Sequence, residues 1–338
     1  MKGYKSLNPS TISLQEAIDN SCTANYCKVK LTKTLIKLAD LLHFKGDLEA
    51  EDVFLGSSGI GIVSESEPNL FGLEKGKRVY IEPYRQCYEC YNCKNGEPLK
   101  CSNLLVAGEN FNGFLADFAC ASSDKLYLLP ESVSDLEALF VNHISLSLSI
   151  IDRLNIQKGD YVLVTGGNSL SNILSQLLIY YQAVPIYLAT SEQDANQAKA
   201  SGIYYILESK DNWVKEVTSI TGGRMAEKVV FLTDSTITTA KIFTIVSYNA
   251  TLILTGVYHN TNTVSFVKAI KKQTNILCVN NGYGNTASAI NLLANKAISL
   301  ANFNTPTCKF NQVPEVFEKL NKQFEKDGFI NETIVEII

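Results

Sequence analysis

Four cysteines fall within fifteen residues, and their spacing is typical of a metal site. Cys87, Cys90, Cys93 and Cys101 follow the pattern C-x2-C-x2-C-x7-C. Four thiolates this close in sequence can surround one tetrahedral ion, and a closed shell of four cysteines is the donor set of a structural zinc. The sequence therefore predicts one structural zinc per chain. Disulfides or unpaired surface thiols are the alternative, and an iron–sulfur cluster is a weaker one, because the ferredoxin-type run ends in C-x3-C-P and this one does not.

The segment around residue 166 has the spacing of a phosphate-binding turn. Tyr161–Thr165 reads as a short buried strand, and apolar residues at helical spacing begin at Ile173. A Rossmann turn reads G-x-G-x-x-G between such elements, since the glycines allow a tight turn and a close approach to pyrophosphate. Here Gly166 is present, whereas Asn168 and Ser171 replace the other two glycines. Asparagine adopts positive φ more readily than most residues and serine is small, so the loop can still present backbone N–H groups and a helix N-terminus to a phosphate.

We therefore predict a dinucleotide site at this turn and at the end of the next strand. The predicted contacts are Gly166, Gly167, Asn168, Leu170, Ser171, Ala189, Thr190 and Ser191. A carboxylate normally stands about 20 residues further on to bind the adenosine ribose of NAD, but the first one after Ala189 is Glu192. No arginine is present to bind a 2′-phosphate instead. The predicted cofactor is NAD(P)(H) with a weak preference for NADP, and a turn without any ligand is the alternative.

Two kinds of element must position these groups. Residues 1–147 read as short strands with glycine and proline turns, which indicates a β-rich, barrel-like domain. In residues 148–283 strands alternate with helices, which predicts βαβ units and a doubly wound parallel sheet. Residues 284–338 read as two helices and a terminal strand that returns to the first domain. The predicted fold class is therefore α/β.

The composition is that of an ordinary globular protein and excludes several partners. The 338 residues carry 30 basic and 34 acidic side chains, a net charge of −4 with no basic arm, which argues against nucleic acid. The most apolar stretch, residues 173–189, is too short and too interrupted to span a membrane. The sequence shows no signal peptide, which predicts a cytoplasmic protein. Its nine cysteines fit that reducing compartment; besides the lobe they are Cys22, Cys27, Cys120, Cys278 and Cys308.

The cysteine lobe, the altered Rossmann turn and the returning C-terminal segment together resemble the medium-chain dehydrogenase/reductase family. The resemblance is to its zinc-dependent alcohol and polyol dehydrogenases, and it extends over nearly the whole chain. Local runs match at Glu82-Pro83, Asn112–Phe118, Leu129–Val133 and Gly159–Val164. The resemblance implies a GroES-like substrate domain, a Rossmann domain, and an active site for a small-molecule substrate in the cleft between them. It also implies a homodimer or homotetramer.

The sequence departs from this family at the ligands of the catalytic zinc. That ion acts as a Lewis acid on the substrate oxygen, with three protein ligands and one open position. Counting from His43 places Leu38 at the cysteine ligand. The histidine of the family's Gly-His-Glu run corresponds to Ser57, and the third ligand corresponds to Asn142. Leucine cannot bind zinc, and serine and asparagine are poor ligands for it. The comparison with the family therefore predicts no catalytic zinc, and one zinc per chain in all.

Without that ion, a few side chains are candidates for handling protons. Histidine suits this role near neutral pH. His43 matches a family position that can relay protons near the nicotinamide ribose, and a buried, hydrogen-bonded histidine is the alternative. His143 is expected to be a structural residue at a helix start, whereas Asn142 could donate a hydrogen bond to a carbonyl. The candidate catalytic residues are His43, Ser57 and Asn142.

Three functions are compatible with this sequence. The favoured one is an NAD(P)(H)-dependent oxidoreductase of the alcohol dehydrogenase type that lacks catalytic zinc and transfers hydride to or from a small carbonyl, alcohol or activated double bond. The second is a non-catalytic relative that binds a nucleotide or a protein partner, because the zinc ligands, two glycines and the ribose carboxylate are all replaced. The third, zinc storage or sensing, rests on the cysteine lobe alone, and a closed four-thiolate site serves folding better.

Overall fold

A computed structural model describes residues 1–17, 25–48, 52–208, 212–232, 239–256 and 266–337. Cys22, one of the scattered cysteines, lies outside these ranges. Across these ranges no helix combines the length and the apolar character needed to cross a bilayer.

The first part of the chain is built mainly from antiparallel strands. They are β1 Lys2–Asn8, β2 Thr11–Glu16, β3 Tyr26–Ile36, β4 Gly59–Ser66, β5 Arg78–Ile81, β6 Tyr84–Arg85, β7 Leu105–Val106, β8 Phe118–Ser122 and β9 Leu126–Leu128. Along β3, Val29 and Leu31 are buried while Lys30 between them is exposed, as the period of two requires. A Cβ on Gly61 would lie 2.4 Å from the carbonyl oxygen of Lys30, so glycine permits the close pairing of β3 and β4.

Four short helices lie among or just after these strands. They are α1 Leu38–Lys45, α2 Tyr91–Lys94 inside the cysteine lobe, α3 Asp135–Leu139 and the longer α4 Val141–Leu154. α3 begins with a capping box, in which the hydroxyl of Ser134 accepts the N–H of Glu137 and the Glu137 carboxylate accepts the N–H of Ser134. The expected domain boundary between residues 147 and 148 falls inside α4.

The second part forms a parallel sheet flanked by helices. Its elements are β10 Tyr161–Thr165, α5 Ser169–Tyr180, β11 Val184–Ala189, α6 Glu192–Ala200, β12 Tyr205–Glu208, α7 Trp213–Ile220, β13 Ala226–Leu232, α8 Thr239–Ile245, β14 Val246–Thr255, α9 Phe266–Lys271 and β15 Asn275–Cys278. The strand order is β12-β11-β10-β13-β14-β15, and every neighbouring pair is parallel. The predicted α/β fold, a β-rich domain with a Rossmann-type domain, is confirmed.

The chain then returns to the first sheet. The remaining elements are α10 Thr286–Ala294, β16 Thr307–Lys309, α11 Val313–Asp327 and β17 Thr333–Glu336. β17 pairs antiparallel with β3, so the first sheet has the order β16-β17-β3-β4-β5-β9, with β8 also paired to β3. On α11, Phe317 and Leu320 are buried against Phe44 of α1 and Ile36 of β3.

One hydrophobic core is shared by both sheets. Ile144 and Leu148 of α4 belong to the same buried cluster as Leu35 of β3, Val162 of β10 and Leu177 of α5. Continuous burial of this kind fixes the relative position of the two sheets, and therefore the geometry of the groove between them.

A buried carboxylate adds a polar link between the two parts. Glu82, which follows β5, is 2% exposed and accepts a hydrogen bond from the hydroxyl of Thr286 at the start of α10. Burial raises the pKa of Glu82 from its ordinary 4.5 to about 7, and Thr286 and Lys125 offset part of that increase.

This raised pKa predicts how stability depends on pH. Between about pH 4.5 and 7 the folded protein keeps a proton on Glu82 that the unfolded chain has released, so the free energy of unfolding should fall as the pH rises. The loss from this group is at most about 3 kcal/mol. Urea denaturation at about pH 5 and about pH 8 measures it, and Glu82→Gln should remove most of the difference. An equal pH dependence in both proteins would contradict the assignment.

Candidate functional site

The four cysteines of the lobe converge on one point. Their sulfur atoms all lie within 4.8 Å of one another, and none forms a disulfide. Sγ of Cys87 lies 3.5 Å from Sγ of Cys101. A tetrahedral zinc with Zn–S distances of about 2.3 Å places its sulfurs about 3.8 Å apart. The donor set and the spacing therefore fit a structural zinc held by Cys87, Cys90, Cys93 and Cys101.

A cleft of about 360 Å³ lies between the two sheets. It brings together five residues that the sequence analysis selected, namely His43, Ser57, Asn142, Asn168 and Leu170. It is also lined by polar side chains that the sequence analysis did not select for chemistry: Lys37, Tyr84, Glu109 and Glu332. Substrate-domain and nucleotide-domain residues therefore face the same space.

Lys37 supplies the positive charge of this cleft. It stands just before α1, and its Nζ lies 3.4 Å from Oδ1 of Asn142. Nδ2 of Asn142 in turn donates to the hydroxyl of Tyr84 at 3.0 Å. One of the two N–H groups of the Asn142 amide is thus engaged with Tyr84, and Lys37, with its charge, is the stronger donor facing the cleft.

A buried carboxylate holds the backbone at this point. Asp40 accepts the N–H of Lys37 and the N–H of Gly56, both at 2.9 Å. The two chain segments that carry Lys37 and Ser57 are therefore tied together behind the cleft. Leu38 also lines the cleft, next to the lysine. An aspartate three residues after Lys37, as in a capping box, is the sequence signal that could have drawn attention to this lysine.

The two histidines of the cleft have different surroundings. Nδ1 of His43 lies 3.2 Å from the carbonyl oxygen of Leu48, and its Nε2 is buried with no partner among the residues that the structure describes. Nε2 of His143, on α4, lies 2.8 Å from the carboxylate of Glu332. His143 is therefore held by an ion pair or hydrogen bond to the C-terminal segment, which fits the structural role expected for it.

Within the described ranges, the cysteine lobe is the one place where three or more cysteine, histidine or acidic side chains converge.

The neighbour of Ser57, Ser58, is buried and donates to the carbonyl oxygen of Leu139 at 2.5 Å.

The nucleotide turn follows β10 as the sequence predicts, with one change in conformation. The positive φ, +117°, occurs at Gly167, whereas Asn168 is extended with φ −148° and caps α5 by accepting the N–H of Ser171 at 3.0 Å. A Cβ on Gly166 would lie 2.5 Å from the ring of Tyr187, so glycine is required there. Ser171 is buried and shares a hydrogen bond with the Tyr187 hydroxyl at 3.0 Å.

A carboxylate that the sequence analysis missed lies beside this turn. Asp194, in the first turn of α6, accepts from the hydroxyl of Tyr187 at 2.6 Å and from the N–H of Thr190 at 3.0 Å. It lines a small hollow with Thr190 and Ser191, while Ala189 is buried at the end of β11. Glu192 is the first carboxylate after β11 in the sequence, but it is Asp194, in the first turn of α6, that contacts Thr190 at the strand end.

A second carboxylate lies at the N-terminus of α5. Glu332 lines the hollow at the turn together with Ser169, lines the cleft as well, and has one carboxylate oxygen, Oε2, that is buried with no hydrogen-bond partner among the described residues. Burial opposes the ionised form, but His143, Ser169 and Lys37 together lower the pKa of Glu332. An ionised side chain of the protein therefore occupies part of the region where a helix N-terminus attracts a phosphate.

Comparisons with known proteins agree with this architecture. Residues 23–131 match the model of the alcohol dehydrogenase GroES-like domain. An uncharacterized zinc-type alcohol dehydrogenase-like protein of Haemophilus influenzae is 26% identical over 284 residues, with 82% of each chain covered. A sorbitol dehydrogenase of Halalkalibacterium halodurans is 26% identical over 223 residues, which cover 64% of this chain and 65% of that protein.

Solved structures share the whole fold. An alcohol dehydrogenase from Escherichia coli CFT073 in complex with NADH has a TM-score of 0.85 at 20% identity, covering 100% of this chain and 99% of that one. A structure from Sinorhizobium meliloti 1021 bound to NADP has a TM-score of 0.85 at 17% identity, with 99% of each chain covered.

The fold and the matched domain define a two-domain dehydrogenase architecture with a GroES-like and a Rossmann-type part. Residues 23–131 of the chain match the alcohol dehydrogenase GroES-like domain, and most of its length is similar to a zinc-type alcohol dehydrogenase-like protein, in agreement with the sequence motifs.

The cysteine lobe leads to a prediction about metal content. Purified protein should contain about one zinc per chain, because four thiolates hold one closed tetrahedral ion. Cys93→Ser should lose most of that zinc and lower the melting temperature by several degrees, while Cys278→Ser, at an exposed cysteine outside the lobe, should change neither. Elemental analysis and a thermal scan measure both. Two zinc ions per chain in the native protein would contradict the prediction of a single structural zinc.

Proposed function

We propose that this protein is an NAD(P)(H)-dependent oxidoreductase of the alcohol dehydrogenase type that works without a catalytic zinc. The observation that carries the proposal is the cleft itself. Asn168 and Leu170 from the nucleotide turn, His43 and Ser57 from the first domain, and the charged Lys37 all line one space of about 360 Å³. A cleft of this kind between a nucleotide domain and a second domain is the usual place of hydride transfer in such folds.

The replaced zinc ligands support the metal-free part of the proposal. Leu38, Ser57 and Asn142 stand at positions where the family has metal-binding side chains, and each is a poor donor for zinc or none at all. Lys37 and Asn142 are hydrogen-bonded to each other in that region. A fixed ammonium group can polarise a carbonyl oxygen in the absence of a metal.

The proposed cofactor site uses the turn after β10. Gly167 and Asn168 would lie against the pyrophosphate, together with the N-terminus of α5, and Thr190 and Asp194 would face the adenosine ribose. When bound, the nicotinamide supplies or accepts the hydride. Asp194 favours a ribose hydroxyl over a 2′-phosphate, because a carboxylate accepts hydrogen bonds and repels a phosphate. We therefore propose NADH as the better cofactor, which reverses the weak preference drawn from the sequence.

One observation favours the alternative function, a non-catalytic relative. Glu332 and Asp194 both bring carboxylates to the turn, and both oppose phosphate binding by charge. If they close the site to dinucleotides, the chain is a binding protein on a dehydrogenase scaffold.

A titration with NADH and then NADPH, followed by nicotinamide fluorescence, and an assay for hydride transfer together separate the two functions. Micromolar binding of NADH with measurable hydride transfer supports the oxidoreductase, and no binding of either cofactor up to about millimolar concentration supports the alternative. Asn168→Asp retains an acceptor for the N–H of Ser171 but adds a negative charge, so it should weaken binding at least about tenfold. Asn69→Asp is the matched control, because Asn69 accepts backbone N–H groups on a distant loop. Equal affinities in the two variants would place the cofactor elsewhere.

Glu332 gives a second, opposite prediction for the same assay. Glu332→Gln keeps an acceptor for His143 but removes the charge, so it should tighten NADH binding by roughly three- to tenfold. The effect should shrink in high salt, because screening weakens the repulsion in the native protein. Weaker binding in this variant would mean that the carboxylate contributes to the site rather than opposing it.

A further inference from the structure

Three side chains that line the cleft could donate a proton to a substrate, and their surroundings show which of them is best suited to do so. Ser57 has a hydroxyl, which is a weak acid. His43 has one ring nitrogen near the Leu48 carbonyl and the other buried away from solvent. Lys37 is half-buried at the wall of the cleft, carries three N–H donors, and has Asn142 as the one hydrogen-bond partner of Nζ within the described ranges. The ammonium group therefore has donors left for a ligand.

The surroundings of Lys37 adjust its acidity. Burial lowers its pKa, and the carboxylates of Asp40, Glu332 and Glu109 oppose part of that decrease. Asp40 lies in α1, Glu332 in the segment before β17, and Glu109 in the loop after β7. Among the groups that line the cleft around the lysine are also Tyr84 of β6, His43 of α1 and His143 of α4. An amine whose pKa is lowered gives up a proton more readily than an exposed lysine.

The position of Lys37 is also rigid, as a proton donor requires. Its backbone N–H is bound by Asp40, which also binds Gly56 beside Ser57. Its side chain is steadied through Asn142, which is itself held by Tyr84. Groups held from both ends need little reorganisation when charge develops on a substrate.

We propose that Lys37 is a catalytic residue of the cleft, the proton donor to the oxygen of an aldehyde or ketone substrate. This role rests on the oxidoreductase function proposed above. Nζ donates a hydrogen bond to the carbonyl oxygen. As a hydride from the reduced nicotinamide adds to the carbonyl carbon, the electron pair of the C=O bond moves to oxygen, and the oxygen takes a proton from Nζ. The products are the alcohol, the oxidised nicotinamide and a neutral amine, which regains a proton from water. In alcohol oxidation the neutral amine takes the hydroxyl proton and the hydride passes to the oxidised nicotinamide.

The test compares Lys37→Met, Lys37→Arg and the control Lys45→Met. Lys45 is the last residue of α1, the helix that follows Lys37, and its Nζ contacts the ring of Phe324 instead of lining the cleft. Three quantities are measured. The first is NADH affinity, by fluorescence, and the second is the pH dependence of kcat/KM for butanal, benzaldehyde and 2-butanone. The third is the pH dependence of the rate at which acetic anhydride labels Lys37, read by mass spectrometry. The labelling needs neither cofactor nor turnover.

We expect NADH affinity to stay within about twofold in all three variants. Lys37→Met should lower kcat/KM by about 10²–10⁴-fold, the usual size of a general-acid contribution, and should abolish the decrease in kcat/KM at high pH. Lys37→Arg should recover part of the rate, since it keeps the charge, but should not restore that decrease, because arginine does not lose its proton. Labelling of Lys37 should rise at a lower pH than that of Lys45.

Other results would contradict the proposed role of Lys37, and they distinguish it from the proposed oxidoreductase function. If Lys37→Met keeps a kcat/KM within a few-fold of the native value, Lys37 is not the proton donor, but the oxidoreductase function is unaffected. Labelling of Lys37 with the same pH midpoint as Lys45 would also contradict it. Failure of the native protein to bind NADH, or to reduce any of the three carbonyls, would overturn the proposed function and this role with it.

Discussion

The burial of α4 between the two sheets is the constraint on which the rest of the structure depends. Its apolar face joins Leu35 of the first sheet and Val162 of the second in one core. Its N-terminal residues Asn142 and His143 face the cleft instead. Because interiors are packed at the density of organic crystals, a helix shared in this way cannot shift relative to one sheet without disturbing the other. The distances across the cleft are therefore set by the core rather than by the loops that line it.

The elements whose pattern is local could be predicted from the sequence. β10, α5 and β11 follow from a short apolar run, a glycine turn and helical spacing, and the four-cysteine lobe follows from spacing alone. The lobe forms within a single loop, so its geometry needs no information from distant residues. The same is true of the capping of α5 by Asn168, although the sequence did not show that the positive φ falls one residue earlier, at Gly167.

The charged groups of the cleft could not be predicted in this way, because they come from distant parts of the chain. Glu332 reaches Ser169 and His143 only through the pairing of β17 with β3. Lys37 is not evident from the sequence, because the count from His43 gives its neighbour Leu38 and a single lysine after a strand belongs to no motif. Asp194 lies four residues beyond Thr190, and it returns to that residue only because α6 begins there. For Lys37 and Glu332 a contact across the fold, rather than a spacing, creates the site, whereas the contact of Asp194 is local and depends on where α6 begins.

The pairing of β17 with β3 also has a consequence for how the protein is assembled during synthesis. Lys33 and Glu336 form a hydrogen bond across this pair although 303 positions separate them in the chain. The parallel sheet between them consists of nearby segments and can form as it leaves the ribosome, whereas the first sheet lacks two of its strands until residues 307–336 have been made. Glu332 directly precedes β17, so it is also synthesised only at this late stage. The cleft is thus completed only by the last strand, and a chain that stops early carries an open sheet edge beside β3, the kind of edge that pairs with other chains.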